Sequence, residues 1–314
     1  ANTELFSNDL RNETSIYTQD NLFHVQGDLV NNVWIYSDLG SLVLDGSDVQ
    51  YVTSETNSGS ATRSRIQKIT IDNDLGVELL EYNGKALIFE VTDEIGLSNG
   101  NFSIGDNYLF VYANTSVTGT GFSKNKMIRT NGRTSSRGIQ INYLVGETFN
   151  QYLPIGVSGK FTPVDLNITN NGPRGNIVLR AIDAQPSSTL PTTYSQDLLE
   201  FYWRLFYRPV SGTTIDYNGS ITFYYNQNDV NGDEGNYGSA KLEDTNWILQ
   251  VPRDPDPGPP VDLGGPLTAG VDTLNNFVSF VVNNLTTAKT VDYTCGDTKT
   301  ENPKRAYPLS LPIY

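Results

Sequence analysis

Over most of its length the chain alternates apolar with polar residues at a period of two. It interrupts that alternation with dipeptides suited to tight turns. Ile69/Ile71, Leu87/Phe89/Val91, Ile139/Ile141/Tyr143, Phe201/Trp203/Leu205/Tyr207 and Ile221/Phe223/Tyr225 all follow the rule. A two-residue period puts such side chains on one face of a strand. Asp45-Gly46, Asn83-Gly84, Asn99-Gly100, Asn131-Gly132 and Asn231-Gly232 tolerate the positive φ that tight turns demand. Helical periodicity is weak throughout, so the chain is expected to be all-β.

The two halves differ in the spacing of their strands. Up to about residue 147 short apolar runs follow one another closely, as in Leu22–Leu29, Asn32–Tyr36, Ser41–Gly46, Arg65–Asp72 and Ala86–Val91. This approximate repetition predicts an N-terminal right-handed β-solenoid (β-helix-like) domain over 1–147. About six coils of roughly 20–25 residues would each pair with the next. A sandwich of short strands is the alternative. From 148 to 252 the strands lengthen and become aromatic, which predicts an antiparallel β-sandwich. Residues 253–267 then form a Pro-rich linker, because its prolines lack the N–H that a ladder needs. The C-terminal tail, 268–314, carries one strong β run at Asn276–Val282 and is too short for its own core. Phe277, Val278, Phe280 and Val282 are therefore expected to augment a sheet, of this chain or of a neighbour.

Composition excludes several classes of function. With 21 Lys+Arg against 35 Asp+Glu, the 314 residues carry a net charge of −14. Nucleic acid and anionic membranes both require a cationic surface, so neither is an expected partner. No apolar run approaches the roughly 20 residues of a transmembrane helix. The chain starts at Ala1 with no basic-then-apolar leader, as expected of an exported product after signal removal. A single Cys295 allows no disulfide within the chain.

Short phrases add a resemblance. Ile66–Leu79 and Leu97–Val111 resemble the N-terminal β-solenoid of large exported surface proteins of Bacteroidota. Tyr152–Gly156, Phe161–Val164, Phe201–Arg204 and Tyr224–Glu234 resemble the β-sandwich that follows it. The resemblance spans roughly residues 20–250. It implies an extracellular or cell-surface, outer-membrane-associated protein exported by the type IX route, serving in adhesion, gliding or matrix building. Residues 268–314 show none of the sorting domain usual in such cargo.

Candidate chemistry is sparse. His24 is the only histidine, and within Leu22-Phe-His-Val it reads as an ordinary strand residue; no Gly-x-Ser-x-Gly elbow, P-loop or dinucleotide fingerprint is present. No catalytic residue is assigned. Adjacent acids such as Asp93-Glu94 and Glu243-Asp244 point to opposite faces of a strand and build no catalytic pair by adjacency. Asp229, Asn231 and Asp233 alternate like calcium ligands, so Ca2+ is the one cofactor the pattern allows, although Gly232 comes too early for an EF-hand loop. An Asx turn explains the same residues. Lys124, Lys126, Arg129, Arg133 and Arg137 concentrate basic charge that could hold a sulfated or phosphorylated surface glycan; a solvated coil face is the plainer reading. Trp34, Trp203 and Trp247 could be sugar platforms, with core burial as the default. Asp272-Thr273-Leu274 matches a short O-glycosylation pattern at Thr273.

These observations predict a non-enzymatic structural or adhesive surface protein, a filament or surface-layer component assembled by strand pairing with itself or another surface protein. The alternatives are an accessory subunit of the type IX secretion or gliding apparatus, and a β-helix polysaccharide-binding or -degrading enzyme by fold analogy.

Overall fold

A computed structural model describes residues 3–13, 16–17, 21–33, 35–36, 40–55, 63–134, 137–186, 197–209, 216–243, 246–250, 270–283 and 289–297. The linker 253–267 and Trp34 lie outside these residues, as does the side chain of Trp247. Strands dominate, and the described residues are all-β apart from two single 3-10 turns. No helix among the described residues is long and apolar enough to cross a membrane.

The first half repeats a circuit of three strands. It opens with β1 (Thr3–Phe6), β2 (Leu10–Asn12) and β3 (Ile16–Tyr17), followed by β4 (Leu22–Val25), β5 (Leu29–Asn31) and β6 (Ile35–Tyr36). Then come β7 (Ser41–Leu44), β8 (Gln50–Thr53), β9 (Arg63–Asp72), β10 (Val77–Leu79), β11 (Ile88–Asn99) and β12 (Phe102–Gly105). The series ends with β13 (Tyr108–Tyr112), β14 (Ser116–Thr118), β15 (Ile128–Thr130) and β16 (Ile139–Tyr143). Every pairing among these sixteen strands is parallel. β1, β4 and β7 continue through the C-terminal part of β9 and then of β11 to β14. β2, β5, β8, β10, β12 and β15 form a second ladder. β3 and β6 meet the N-terminal part of β9, from which the ladder runs through β11 to β13 and β16.

The alternation explains the stacking. Val25, Leu44, Ile71 and Leu97 are register partners in turn, and so are Phe23, Leu42, Ile69, Ile95 and Val117. On the second ladder Val77, Phe102, Ile128 and Ile155 do the same. All of these except Val117 are buried, and each buried apolar side chain contributes roughly 1.5–3 kcal/mol relative to exposure. Gln50 heads the Val77 stack, and its Nε2 donates to the carbonyls of Val25 (2.8 Å) and Gly27 (2.7 Å), so the buried amide is satisfied. Gly100 (φ +70°) sits where a Cβ would run into the carbonyl oxygen of Asn73, so the turn between β11 and β12 requires glycine.

The second half begins with β17 (Thr148–Leu153), β18 (Ile155–Val157), β19 (Lys160–Phe161), β20 (Val164–Asn170) and β21 (Gly175–Ile182). It continues with β22 (Tyr202–Pro209), β23 (Tyr217–Tyr224), β24 (Tyr237–Glu243) and β25 (Asn246–Gln250). β26 (Gly270–Asp272), β27 (Phe277–Asn283) and β28 (Lys289–Asp297) complete it. β18 extends the second parallel ladder, and all the other new pairings are antiparallel. One sheet runs β16-β21-β22-β28-β24-β25, the other β17-β20-β23-β27-β26. β16 pairs in parallel with β13 and antiparallel with β21, so the backbone ladder of the first half passes unbroken into the second. Aromatic rings from the two sheets meet: Trp203 on Phe223 (centroids 4.9 Å apart) and Phe280 on Tyr293 (4.8 Å).

The tail differs from its sequence reading. Its described residues supply three strands rather than one, and two of them lie inside sheets. β28 sits between β22 and β24, and β27 between β23 and β26. Phe277, Val278, Phe280 and Val282 thus pair within the chain's own sheet, with β23 on one side.

Candidate functional site

The most distinctive local feature is the unequal treatment of the two ends of the parallel ladders. At the far end, β21 pairs with β16 and β19 folds back on β18, while β14 pairs with β11 alone among the described residues. At the near end, β1 and β2 are the terminal strands of their sheets, and nothing among the described residues pairs with their outer edges. A terminal strand presents a row of backbone N–H and C=O groups to whatever adjoins it.

This edge is built to repeat. Asp9-Leu10-Arg11-Asn12 is followed 19 residues later by Asp28-Leu29-Val30-Asn31, and the two stretches lie in register. The N–H of Asp28 donates to Asp9 Oδ1 (2.8 Å), and the N–H of Tyr51 donates to Asp28 Oδ1 (2.8 Å). Asn12 Nδ2 donates to Asn31 Oδ1 (2.6 Å). On β1, Phe6 stacks on Phe23 (5.9 Å, 9° between planes) while Leu5 is 63% exposed. Arg11 pairs with Glu13 and Glu55 beside the edge. Sequence reasoning missed this site, although the Asp-Leu-x-Asn repeat was there to be read.

The expected calcium ligands have separate partners. Asp229 is 2% exposed and takes the ammonium of Lys160, which also meets Asp183 at 2.5 Å. Burial works against charge on Lys160, but hydrogen bonds to Asp183 and Asp229 keep its pKa above the ordinary lysine value. Burial pushes the Asp229 carboxyl up, against the pull of Lys160. Asp233 turns back to accept from Gly235 N (3.0 Å) and Asn236 Nδ2 (2.9 Å). The backbone N–H and carbonyl of Asn231 both bond to the Tyr237 hydroxyl (2.8 and 2.6 Å). A lysine from β19 thus supplies the cation that Asp229 meets, and it ties the end of the second ladder to the β23–β24 connection. Among the described residues no three His, Cys, Asp or Glu side chains are grouped to hold a metal ion. Asp229→Ala removes the buried partner and is expected to lower unfolding free energy by about 1–3 kcal/mol in urea denaturation; an unchanged midpoint and slope would contradict the clip.

The basic run is partly neutralised. Arg129 pairs with Glu78 (2.7 Å), Arg137 with Glu81 and Asp106, and Lys126 Nζ donates to the Ser98 carbonyl (3.2 Å). Lys124 and Arg133 offer their carbonyls to Asn101 and Arg180. His24 Nδ1 lies 2.7 Å from Asp45 Oδ2 on the outside of β4. Trp203 is fully buried and is a core residue rather than a sugar platform. Cys295 is buried in β28, and burial pushes its thiol well above the usual range, so it offers no accessible sulfur to another chain. Thr273 lies in the turn between β26 and β27, where Asp272 Oδ1 accepts from the N–H groups of Leu274 and Asn275 (both 2.9 Å).

Comparison with protein-family models, with curated proteins and with solved structures returns no match.

Proposed function

We propose that this chain is a non-enzymatic structural or adhesive module of the cell surface that joins a second chain through the open edge of β1 and β2. In this reading the repeated three-strand circuit is a β-solenoid, the two aromatic-filled sheets are a β-sandwich, and together they form a stiff spacer. The observation that carries the proposal is the difference between the ladder ends among the described residues: β21 and β19 continue two of the three ladders at one end, and none of β1, β2 and β3 is continued at the other. The Asp-Leu-x-Asn register supports it, because an incoming strand of the same pattern would extend hydrogen bonds already made between β2 and β5. Export by the type IX route and an extracellular location are part of the proposal and rest on the resemblance of the sequence to Bacteroidota surface proteins.

Leu5→Lys tests the edge, since a charge there opposes edge-to-edge pairing while altering an exposed position. The wild-type chain is expected to elute as a multimer, or to retain a surface protein from a native outer-membrane fraction. The variant should be monomeric and partner-free, with a melting temperature within about 2 °C of wild type. A wild-type chain that is monomeric and captures nothing would overturn the proposal.

A further inference from the structure

Strand β13 turns Tyr108, Phe110 and Tyr112 outward while burying Leu109 and Val111. The register sets Phe110 beside Gln140 and Tyr112 beside Asn142 on β16. A row of aromatic rings therefore runs along a row of amides on the outer face of the sheet. Ring positions two residues apart on a strand lie roughly 6.6 Å from each other. A cleft of about 600 Å³ opens over this face, and Phe110, Tyr112, Gln140, Asn142, Glu147 and Arg174 are among its lining residues.

The lining is held in position. The Tyr112 hydroxyl donates to Glu90 Oε1 (2.5 Å), a carboxylate only 1% exposed. Gln140 Nε2 donates to Asn142 Oδ1 (2.9 Å), and Asn142 Nδ2 to the Val111 carbonyl (3.3 Å). Glu147 Oε2 accepts from the N–H of Leu144 (2.6 Å). Tyr108 packs edge-on against Phe110 (5.6 Å, 72°). Each primary amide has two N–H donors and two acceptor lone pairs, more than these bonds consume.

We propose that this cleft binds a neutral saccharide. A pyranose ring has an apolar C–H face and a rim of hydroxyls that both donate and accept. Aromatic side chains fit the first requirement, and aligned amides beside a carboxylate and a guanidinium fit the second. Glu147 and Arg174 carry opposite charges, so the site has no net charge with which to select an anionic glycan. In this it differs from the stretch holding Lys124 and Lys126. The inference is independent of strand pairing at β1 and β2, because the residues concerned belong to β13, β16 and the loops beside them.

Native affinity electrophoresis tests it, using gels cast with galactomannan, xylan, hydroxyethylcellulose or pullulan, and with dextran sulfate as the anionic arm. At least one neutral polymer should retard the wild-type chain. Asn142→Ala and Arg174→Ala should each reduce the apparent association constant at least tenfold while leaving the melting curve in place. Unretarded migration in all four neutral gels would overturn the proposal. So would retardation that both variants leave unchanged, or retardation confined to dextran sulfate and lost on Lys124→Ala/Lys126→Ala, which would assign glycan binding to the basic run.

Discussion

A chain ending at residue 269 will not form the antiparallel half of the molecule. It loses β26, β27 and β28, and β28 pairs with both β22 and β24. Removal strips seven ladder partners from β24 and five from β22. It also uncovers Trp203, Phe223 and Tyr237, all essentially fully buried in the intact protein. The Arg204–Asp292 pair disappears with it, two parallel N–H···O bonds of 2.6 and 2.8 Å. The Tyr207–Tyr293 hydroxyl contact (2.8 Å) goes as well. The truncated chain is expected to bind a hydrophobic dye strongly, to lose the near-ultraviolet circular dichroism of its packed aromatics, and to show no cooperative transition for residues 148–250. A truncated protein with the melting curve of the full chain would refute the account of β28 as an interior strand.

Trp203→Ala is expected to cost about 3–5 kcal/mol, the largest effect of any single substitution considered. The indole is 0% exposed, and it contacts Phe201 (5.2 Å) and Phe223 (4.9 Å), which lie on either side of the interface between the sheets. Its Nε1–H donates to the Thr162 carbonyl (3.3 Å), so the substitution also leaves that acceptor without its partner. Urea denaturation followed by circular dichroism should show a lower midpoint with a similar slope. A loss below about 1 kcal/mol would mean that the site collapses around the gap, contrary to the close packing described.

Local periodicity made much of this fold legible in the sequence. Ile139–Tyr143 alternates strictly in sequence, and Leu22–Val25 and Ser41–Leu44 are short apolar runs with turn residues at both ends whose burial alternates in the fold. Two features escaped that signal. Ile16–Tyr17 is a two-residue strand, too short for a period to be visible. β9 and β11 are each one continuous strand serving two ladders, so the corner between circuits carries no glycine or proline to mark it. In β28, Val291, Tyr293 and Cys295 do alternate, but Asp292 and Thr294 are buried as well. Polar residues that Arg204 and the Phe201 carbonyl will satisfy look, in sequence, like a solvated turn.

The sites were less legible than the fold. Asp229 was singled out as a calcium-ligand candidate, and the Lys160 that it meets lies 69 residues away. Only the folded chain shows that an ammonium already stands beside it. The Asp-Leu-x-Asn repeat at the open edge was visible at a fixed spacing of 19 residues, but its use as a hydrogen-bonded ladder depends on parallel register. Phe110 and Tyr112 were not singled out, because nothing in the sequence says which of the two faces of their strand is outside.

The placement of β28 also sets an order of events. Its contacts with β22 span 88 residues between Arg204 and Asp292, so that sheet cannot zip up progressively as the chain emerges. The parallel circuits, whose partners lie about 20 residues apart, can assemble during synthesis. The later half has to wait with a gap in the middle of its sheet, and long-range closure of this kind is intrinsically slow. Refolding should accordingly show a fast phase from the first half and a slow one in which the fluorescence of Trp203 changes.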